Sequence, residues 1–210
     1  MATNVYIDGF NLYYGALKRT HFRWLDLEAL CQNLLPNDSI HRIRYFTAKV
    51  TARPDDVQAP QRQQTYLRAL ETLPLVSIHF GHFLTSNTWM WLTNPPPPGG
   101  SRKAQVIKTE EKGSDVNIAS YMLLDGFNKD YDTAVVISND SDLCEPVRMV
   151  RFELGLTVGV VNPHPAAKRS RVLSQDAHFF KQLRRGALAK SQFPDVLYDA
   201  RGRFYKPGGW

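Results

Sequence analysis

Short apolar runs that end in polar residues recur along this chain, and segments with helical spacing follow them. The run at 134–137 is wholly apolar and mostly β-branched, which is typical of a strand buried on both faces of a parallel sheet. It ends at the small polar residues 138–142, and apolar positions with helical spacing continue to residue 154. The run at 4–7, followed by Asp8, repeats this arrangement. The pattern therefore predicts strands that alternate with helices.

Extended over the whole chain, this pattern predicts an α/β fold. The predicted strands cover residues 4–8, 40–50, 75–84, 133–137 and 157–161, with an alternating edge strand at 103–108. The predicted helices cover residues 10–17, 27–35, 61–73, 114–128, 142–154 and 175–188. Strands and helices in this alternation favour a single three-layer, Rossmann-like domain with a mainly parallel sheet.

The region 85–108 breaks this rhythm. It contains Trp89 and Trp91, and then four prolines and two glycines at 94–100, which cannot continue a ladder. We interpret it as an excursion at the sheet edge that closes in a rigid hairpin turn, in preference to a polyproline ligand for a partner. We assign residues 1–162 to one domain that includes this excursion, and residues 163–210 to a basic C-terminal extension.

Charge is unevenly distributed between these two parts. The net charge of the chain is +6. Residues 163–210 hold ten Lys/Arg against three Asp/Glu, whereas residues 1–162 hold sixteen against seventeen. A basic extension on a near-neutral body suits a polyanionic partner, and solubility alone is the other explanation.

The cysteines and the hydropathy of the chain restrict the class of protein further. The two cysteines, Cys31 and Cys144, lie far apart without metal-ligand spacing, which favours free thiols in a reducing compartment. No apolar run approaches the ~20 residues of a membrane span. We therefore expect a cytoplasmic protein that does not bind a membrane.

Aspartates stand at the turns where strands pass into helices. Asp8 ends the first strand, Asp140 and Asp142 follow the strand at 133–137, and Asp115 opens the helix at 114–128. Ligands of open α/β sheets bind at the carboxyl ends of strands, so these four carboxylates mark a candidate site. Asp and Asn also cap helices, and Asp142 by itself is explained equally well as a cap. The recurrence at three turns favours a site.

Three motifs carry a resemblance to a known family. VYIDGFNLY at 5–13, EEKGSDVNIA at 110–119 and AVVISNDSDL at 134–143 resemble, in this order, the NYN family of PIN-like nucleases. The similarity covers residues 3–162, and the end of the extension resembles an appendage of one bacterial branch. The resemblance implies a PIN-like fold and a metal-dependent nuclease that acts mostly on RNA. It implies that Asp8, Asp115, Asp140 and Asp142 are catalytic and hold Mg²⁺ or Mn²⁺, with Asn11 and Ser138 as supporting polar groups.

The chain departs from the family at one position. Many relatives carry a further acidic residue two turns into the helix that opens with Asp115, where this chain has Tyr121, and Asp125 lies one turn later. The site then has fewer acidic residues than in those relatives, and we leave Asp125 outside it. Lys112, three residues before Asp115, either supports the site by orienting a phosphate or is a solvated lysine at the helix start.

The chemistry of the proposed reaction agrees with these residues. A phosphodiester is anionic, and a carboxylate-bound Mg²⁺ can neutralise it and activate a water. Oxygen ligands without a Cys or His cluster argue against zinc. The predicted contacts to the nucleic-acid backbone are basic residues of the extension: Lys168, Arg169, Arg171, Arg201, Arg203 and Lys206. Phe204, Tyr205 and Trp210 either stack on unpaired bases or pack the extension onto the domain.

Other classes fit less well. A haloacid-dehalogenase-type phosphatase needs two aspartates two apart after its first strand, but Gly9-Phe10 follows Asp8. No GxxxxGK or GxGxxG follows a strand, which disfavours P-loop and dinucleotide enzymes. A non-catalytic module that binds RNA or protein on the same fold is the alternative to an endonuclease. We expect any homodimer to use the extension or the edge hairpin.

Overall fold

A computed structural model describes residues 1–52, 54–94, 96–97 and 99–210. Its ten strands are β1 (Ala2–Asp8), β2 (Ser39–Thr47), β3 (Val76–Phe80), β4 (His82–Trp91), β5 (Lys103–Lys112), β6 (Thr133–Ile137), β7 (Thr157–Asn162), β8 (Phe179–Gln182), β9 (Val196–Asp199) and β10 (Gly202–Tyr205). Six of them form one parallel sheet in the order β3-β2-β1-β6-β7-β8. The strand order reverses between β1 and β6, which is where ligands of such sheets bind.

Helices cover both faces of this sheet. They are α1 (Gly9–Leu12), α2 (Leu27–Leu34), α3 (Ala59–Leu70), α4 (Ser114–Phe127), α5 (Cys144–Phe152), α6 (Arg171–Gln175) and α7 (Arg185–Lys190), and α1 continues into a π-helical turn at Tyr13–Leu17. Successive residues of β1 alternate between the faces, so Val5 and Ile7 enter one apolar core and Tyr6 the other. Two cores on either side of a parallel sheet confirm the predicted three-layer α/β fold.

The predicted strand at 75–84 is in fact two strands that separate at Gly81. The Gly81 N–H donates to the Thr47 carbonyl at 2.8 Å, and β4 then leaves the sheet to pair with β5 as a two-stranded antiparallel ribbon. A β-carbon at Gly81 would lie 2.6 Å from the Lys112 carbonyl oxygen, so only glycine lets the ribbon base approach this closely. The expected edge hairpin is therefore longer than predicted. Pro95 and Pro98 of its expected turn lie outside the described residues.

The prediction of one helix over 175–188 is wrong. Phe179–Gln182 is strand β8, which pairs in parallel with β7 and forms the sixth strand of the sheet. Phe179 packs on one core and Phe180 on the other, and the ring of Phe179 fills the space above Gly159 of β7. Burial on both faces overrides the helical spacing, and the sheet therefore uses residues beyond the expected domain boundary at 162.

The end of the chain returns to the domain. Strands β9 and β10 form a hairpin whose Phe204 is buried, and Trp210 lies against Trp24 and Tyr66. Two of the three terminal aromatic residues therefore pack inward, and Tyr205 is exposed. Across the described ranges, no helix has both the length and the apolar character that a bilayer crossing needs.

Candidate active site

Asp8 lies at the carboxyl end of β1 and is 6% exposed. Ile7 stands opposite Ile137 in the register of β1 and β6, so Asp8 and Ser138 leave the sheet side by side. One carboxylate oxygen of Asp8 accepts the Asn11 backbone N–H at 2.9 Å, and the other accepts the Ser138 hydroxyl at 3.0 Å. These two bonds hold the Asp8 carboxylate in one orientation.

Further hydrogen bonds join the two strand ends. The Asn11 side-chain oxygen accepts the Asn139 backbone N–H at 2.9 Å, and the Ser138 hydroxyl accepts that of Asp140 at 3.1 Å. The Asp140 carboxylate in turn accepts the Asp142 N–H at 3.0 Å. Asp8 and Asp140 therefore do cap helical turns, as their residue types allow. Capping uses part of each carboxylate and fixes its position at the strand end.

A third segment brings two more acidic side chains. Gly113 has a φ of 98° and turns the chain from β5 into α4, which places Asp115 in the first turn of that helix. The Glu111 carboxylate accepts the Ser114 hydroxyl at 2.9 Å across this turn. A single glycine turn thus positions both Glu111 and Asp115.

These elements enclose a cleft of about 260 Å³. Its lining residues are Asp8, Phe10, Asn11, Tyr14, Glu111, Ser114, Asp115, Asp140 and His164. Three of the four predicted aspartates, with Asn11, thus meet at the predicted end of the sheet, and Ser138 lies directly behind Asp8.

The carboxylates of the cleft destabilise one another's charge. Burial raises the pKa of Asp8 to about 6, and the negative charges of Asp115 and Asp140 contribute to this rise. Burial likewise raises the pKa of Asp115 to about 6, and the charges of Asp140, Glu111 and Asp142 contribute. Hydrogen bonds from Asn11 and Ser138 partly offset the effect at Asp8.

The donor atoms of this cleft fit a hard divalent cation. Among the described residues, no three His, Cys, Asp or Glu side chains converge as a ready set of metal ligands. Mg²⁺ usually binds proteins through one or two carboxylates and keeps several waters, so it does not require such a set. Asp8, Asp115, Asp140 and Glu111 supply oxygen donors and an excess of negative charge, and the residues present therefore fit Mg²⁺ or Mn²⁺.

Besides Ser138 behind Asp8, two further residues of the predicted catalytic and supporting set lie outside the cleft lining. Asp142 is exposed in the 3₁₀ turn at Ser141–Leu143, and only its charge reaches Asp115. Lys112 ends strand β5 instead of starting a helix, and its ammonium lies 3.6 Å from the Glu110 carboxylate. A role for either residue in the reaction stays a prediction.

Sequence reasoning did not predict five residues of the cleft: Phe10, Tyr14, Glu111, Ser114 and His164. Glu111 lies within the motif that contains Asp115, so the motif itself could have indicated it. His164 gave no signal, because it follows β7 in a segment assigned to the extension. Burial and the charge of Lys168 lower the pKa of His164, which favours a neutral imidazole in the cleft.

A second, larger pocket of about 450 Å³ adjoins the acidic cleft and shares Phe10, Tyr14 and Glu111 with it. Its wall carries aromatic rings, including Tyr13, Tyr45, Tyr66, Phe83 and Trp210, and charged side chains, including Lys18, Arg23 and Arg62. A pocket of this size and lining suits a planar aromatic ring.

The predicted basic residues divide into two groups. Lys168, Arg169 and Arg171 lie near the cleft, because the Asn139 side chain donates to the Lys168 carbonyl and accepts the Ser170 N–H. The second group, Arg201, Arg203 and Lys206, lies on the C-terminal hairpin, where Asp199 and Glu71 pair with Arg201 and Asp195 with Lys206.

An acidic cleft at the switch point of a parallel α/β sheet defines a class of proteins that bind ligands at their strand ends. The NYN domain matches residues 2–183, and the chain belongs to the NYN family. This match includes β8, in agreement with the six-stranded sheet.

The chain is also similar to two known proteins, one in sequence and one in structure. It is 32% identical over its whole length to 6-hydroxy-3-succinoylpyridine 3-monooxygenase from Pseudomonas putida, of which it covers 75%. A solved structure of a Vibrio parahaemolyticus protein of unknown function superposes with a TM-score of 0.55 at 14% identity, covering 91% of this chain and 96% of that one. The second likeness shows the fold alone.

Proposed function

We propose that this protein is a metal-dependent nuclease that hydrolyses phosphodiester bonds through Asp8, Asp115 and Asp140. One observation supports this most: three separate segments bring these carboxylates and Glu111 into one cleft, where burial and mutual repulsion raise two pKa values. Membership of the NYN family, which is typically nucleolytic, supports it further.

Each part of the cleft has a role in this proposal. Asp8, fixed by Ser138 and Asn11, and Asp140, fixed at the strand end, would hold the cation together with Asp115. When bound, Mg²⁺ or Mn²⁺ neutralises phosphate charge and lowers the pKa of a coordinated water. Neutral His164, on the wall of the cleft, would donate a hydrogen bond to a phosphate oxygen.

RNA is the proposed polymer and endonucleolytic cleavage the proposed mode. The RNA preference rests on the resemblance of the three sequence motifs to nucleases that act mostly on RNA. Lys168, Arg169 and Arg171 beside the cleft would hold the phosphates on either side of the scissile bond.

The test is incubation with labelled linear and circular RNA and with single-stranded DNA, each with Mg²⁺, Mn²⁺ or EDTA. We expect metal-dependent cleavage, opening of the circular RNA, and no cleavage in EDTA. Cleavage that persists in EDTA contradicts the proposed chemistry. Tight binding without any cleavage favours the alternative, a binding module on the same fold.

A second candidate function follows from the relative in Pseudomonas putida, whose name states that it acts on a hydroxylated pyridine. The aromatic-lined pocket beside the acidic cleft is large enough for one such ring. Under this candidate the pocket binds the ring, the carboxylates of the cleft accept a hydrogen bond from its hydroxyl, and Lys18 or Arg23 of the pocket pairs with the succinoyl carboxylate.

Incubation with 6-hydroxy-3-succinoylpyridine, dioxygen and a reduced nicotinamide or flavin separates the two candidates. Substrate loss coupled to oxygen uptake, without metal-dependent cleavage of RNA, supports the second candidate. RNA cleavage without oxygen uptake supports the first.

A further inference from the structure

The ribbon of β4 and β5 exposes large apolar side chains. Trp89, Trp91 and Ile107 are 62%, 70% and 76% exposed. Exposed apolar groups of this size in one region mark a surface that another molecule covers. The ribbon therefore needs a partner to explain its composition.

The register of the ribbon puts these side chains on one face. Trp91 stands opposite Lys103, and Asn87 opposite Ile107, while Phe83 stands opposite Glu111 at the base. Residues two apart on a strand share a face, so Phe83, Trp89 and Trp91 lie on the same one. We call this the cleft-side face.

The cleft-side face is continuous with the candidate active site. At its base Glu111 lines the acidic cleft, and the ring of Phe83 lies edge-on to Phe10 of that cleft at 5.5 Å between centroids. Trp89 is six residues along β4 from Phe83, which places it roughly 20 Å further out. A polymer chain that leaves the cleft along β4 therefore meets Trp89 and then Trp91.

Charge on the ribbon indicates which polymer this is. Residues 82–109 contain Arg102, Lys103 and Lys108 and no acidic residue, whereas Glu110 and Glu111 stand at the base. Lys103 lies on the cleft-side face, whereas Lys108 lies on the opposite face and pairs with Glu110 at 2.7 Å. The ammonium of Lys103 lies 4.5 Å above the ring of Trp91. Aromatic rings interleaved with cations are the surface on which single-stranded nucleic acids stack their bases and neutralise their phosphates.

We propose that the cleft-side face of the ribbon binds single-stranded nucleic acid, with unpaired bases stacked on Trp89 and Trp91 and a phosphate held by Lys103. The ribbon thereby guides one strand into the acidic cleft and disfavours duplex substrates, whose bases already stack on each other. This rests on the proposed function, because the strand it guides is the substrate of the cleft.

The experiment measures binding without cleavage. Full-length Asp140→Asn protein in EDTA is titrated against a fluorescent single-stranded RNA and, separately, a duplex of equal length, with anisotropy as the readout. We expect Trp89→Ala/Trp91→Ala in this background to weaken binding of the single strand at least about tenfold. Binding of the duplex should change less than twofold.

The outer face of the same ribbon provides a matched control. Leu84 and Met90 are 53% and 49% exposed and lie on the opposite face of β4. Leu84→Ala/Met90→Ala removes exposed apolar side chains from this opposite face and should leave RNA binding within twofold. Lys103→Gln should lower the slope of log K against log salt by about 0.7, as expected for one phosphate contact on a single strand.

Four outcomes overturn the proposal: no binding of single-stranded RNA, equal weakening by both double variants, equal loss on duplex, or unchanged binding with a Trp-dependent dimer in sedimentation. The last outcome would assign the face to a second copy of the chain. Failure of the proposed function would give a different result. RNA binding would still depend on the ribbon, but the wild-type protein would not cleave RNA in Mg²⁺.

Discussion

Helix α4 carries two aspartates, ten positions apart, in opposite electrostatic surroundings. Asp115, in the first turn, faces other carboxylates across the cleft, and its pKa is raised to about 6. Asp125, near the last turn, is buried and receives two hydrogen bonds from the Arg44 guanidinium, at 2.7 and 2.8 Å, and one from the Tyr6 hydroxyl at 2.8 Å.

The comparison separates a structural carboxylate from a candidate functional one. Burial alone would lower the pKa of Arg44, but its hydrogen bonds and attraction to Asp125 raise it overall, as expected of a satisfied ion pair. Among the described residues that line the cleft there is no Lys or Arg, so its carboxylates repel one another and would bind a cation favourably. One helix thus contributes to a stabilising pair at one end and to an unsatisfied acidic cluster at the other.

The largest expected effect concerns activity. Asp140→Asn retains an oxygen that caps the turn but removes one charge from the cleft, and it should lower metal-dependent RNA cleavage at least about 100-fold, because the cation contributes several kcal/mol to such reactions. Initial rates at saturating Mg²⁺ measure this, with Asp142→Asn as the comparison outside the cleft lining. Equal activity of Asp140→Asn and wild type contradicts the assigned site.

Substitutions in the ion pair and in the cleft should have opposite effects on the stability of the apo protein. Asp125→Asn leaves Arg44, whose side chain is only 12% exposed, without its countercharge and should reduce the free energy of unfolding by about 3 kcal/mol. Asp115→Asn removes a repelled charge and should leave apo stability unchanged or higher. Urea unfolding in EDTA measures both variants. A larger loss of unfolding free energy for Asp115→Asn than for Asp125→Asn would contradict the assignment of Asp125 as the structural carboxylate and Asp115 as the repelled one.

Metal binding should stabilise the protein, and this gain should depend on the carboxylates of the cleft. At a hundredfold excess over Kd, Mg²⁺ or Mn²⁺ adds about 2.7 kcal/mol of stability, which for a chain of this length raises Tm by about 5–10 °C. Asp140→Asn should lose most of this gain. Asp140→Ala also removes the cap and should cost a further ~0.5–2 kcal/mol without metal. A full metal response in both variants would identify Asp140 as a cap only.

The pH dependence of apo stability follows from the burial of Asp8 and, to a smaller extent, from the same repulsion. Folded Asp8, with a pKa of about 6, holds its proton more tightly than in the unfolded chain, where the ordinary value is 3.8. Its stabilising contribution is therefore complete below pH 3.8 and is lost as the pH rises through about 6. Relative to wild type, Asp8→Asn should gain up to about 3 kcal/mol between pH 4 and pH 7. A difference that does not vary with pH argues against a buried, repelled Asp8.

The smallest expected effect concerns the two groups of basic residues. Arg171→Gln, near the cleft, should lower the salt slope of RNA binding by about 0.7. Arg201→Gln should change it little, because Asp199 and Glu71 already pair with that guanidinium. Deletion of residues 189–210 is a poorer test, since it removes Phe193 and Phe204 from the core. A larger decrease in the salt slope for Arg201→Gln than for Arg171→Gln would place the RNA-binding surface on the C-terminal hairpin.

Local sequence determined the strands and turns that carry the site. The apolar runs before Asp8 and Asp140 are typical of buried strands, and parallel strands bring their carboxyl ends to one edge, so the meeting of these aspartates was predictable. Asp26 likewise caps α2 as its residue type indicates, by accepting the Ala29 N–H at 2.9 Å.

Tertiary contacts decided the rest. Phe179–Gln182 has the spacing of a helix but becomes a strand, because β7 offers a free edge and a space above Gly159 for the ring of Phe179. Whether an aspartate is paired or repelled depends on neighbours distant in sequence: Arg44 lies 81 residues from Asp125, and Asp8 lies 130 from Ser138. Spacing along the chain does not encode such distances. The family resemblance left Asp125 outside the site, but only the folded structure shows that Arg44 and Tyr6 satisfy its carboxylate.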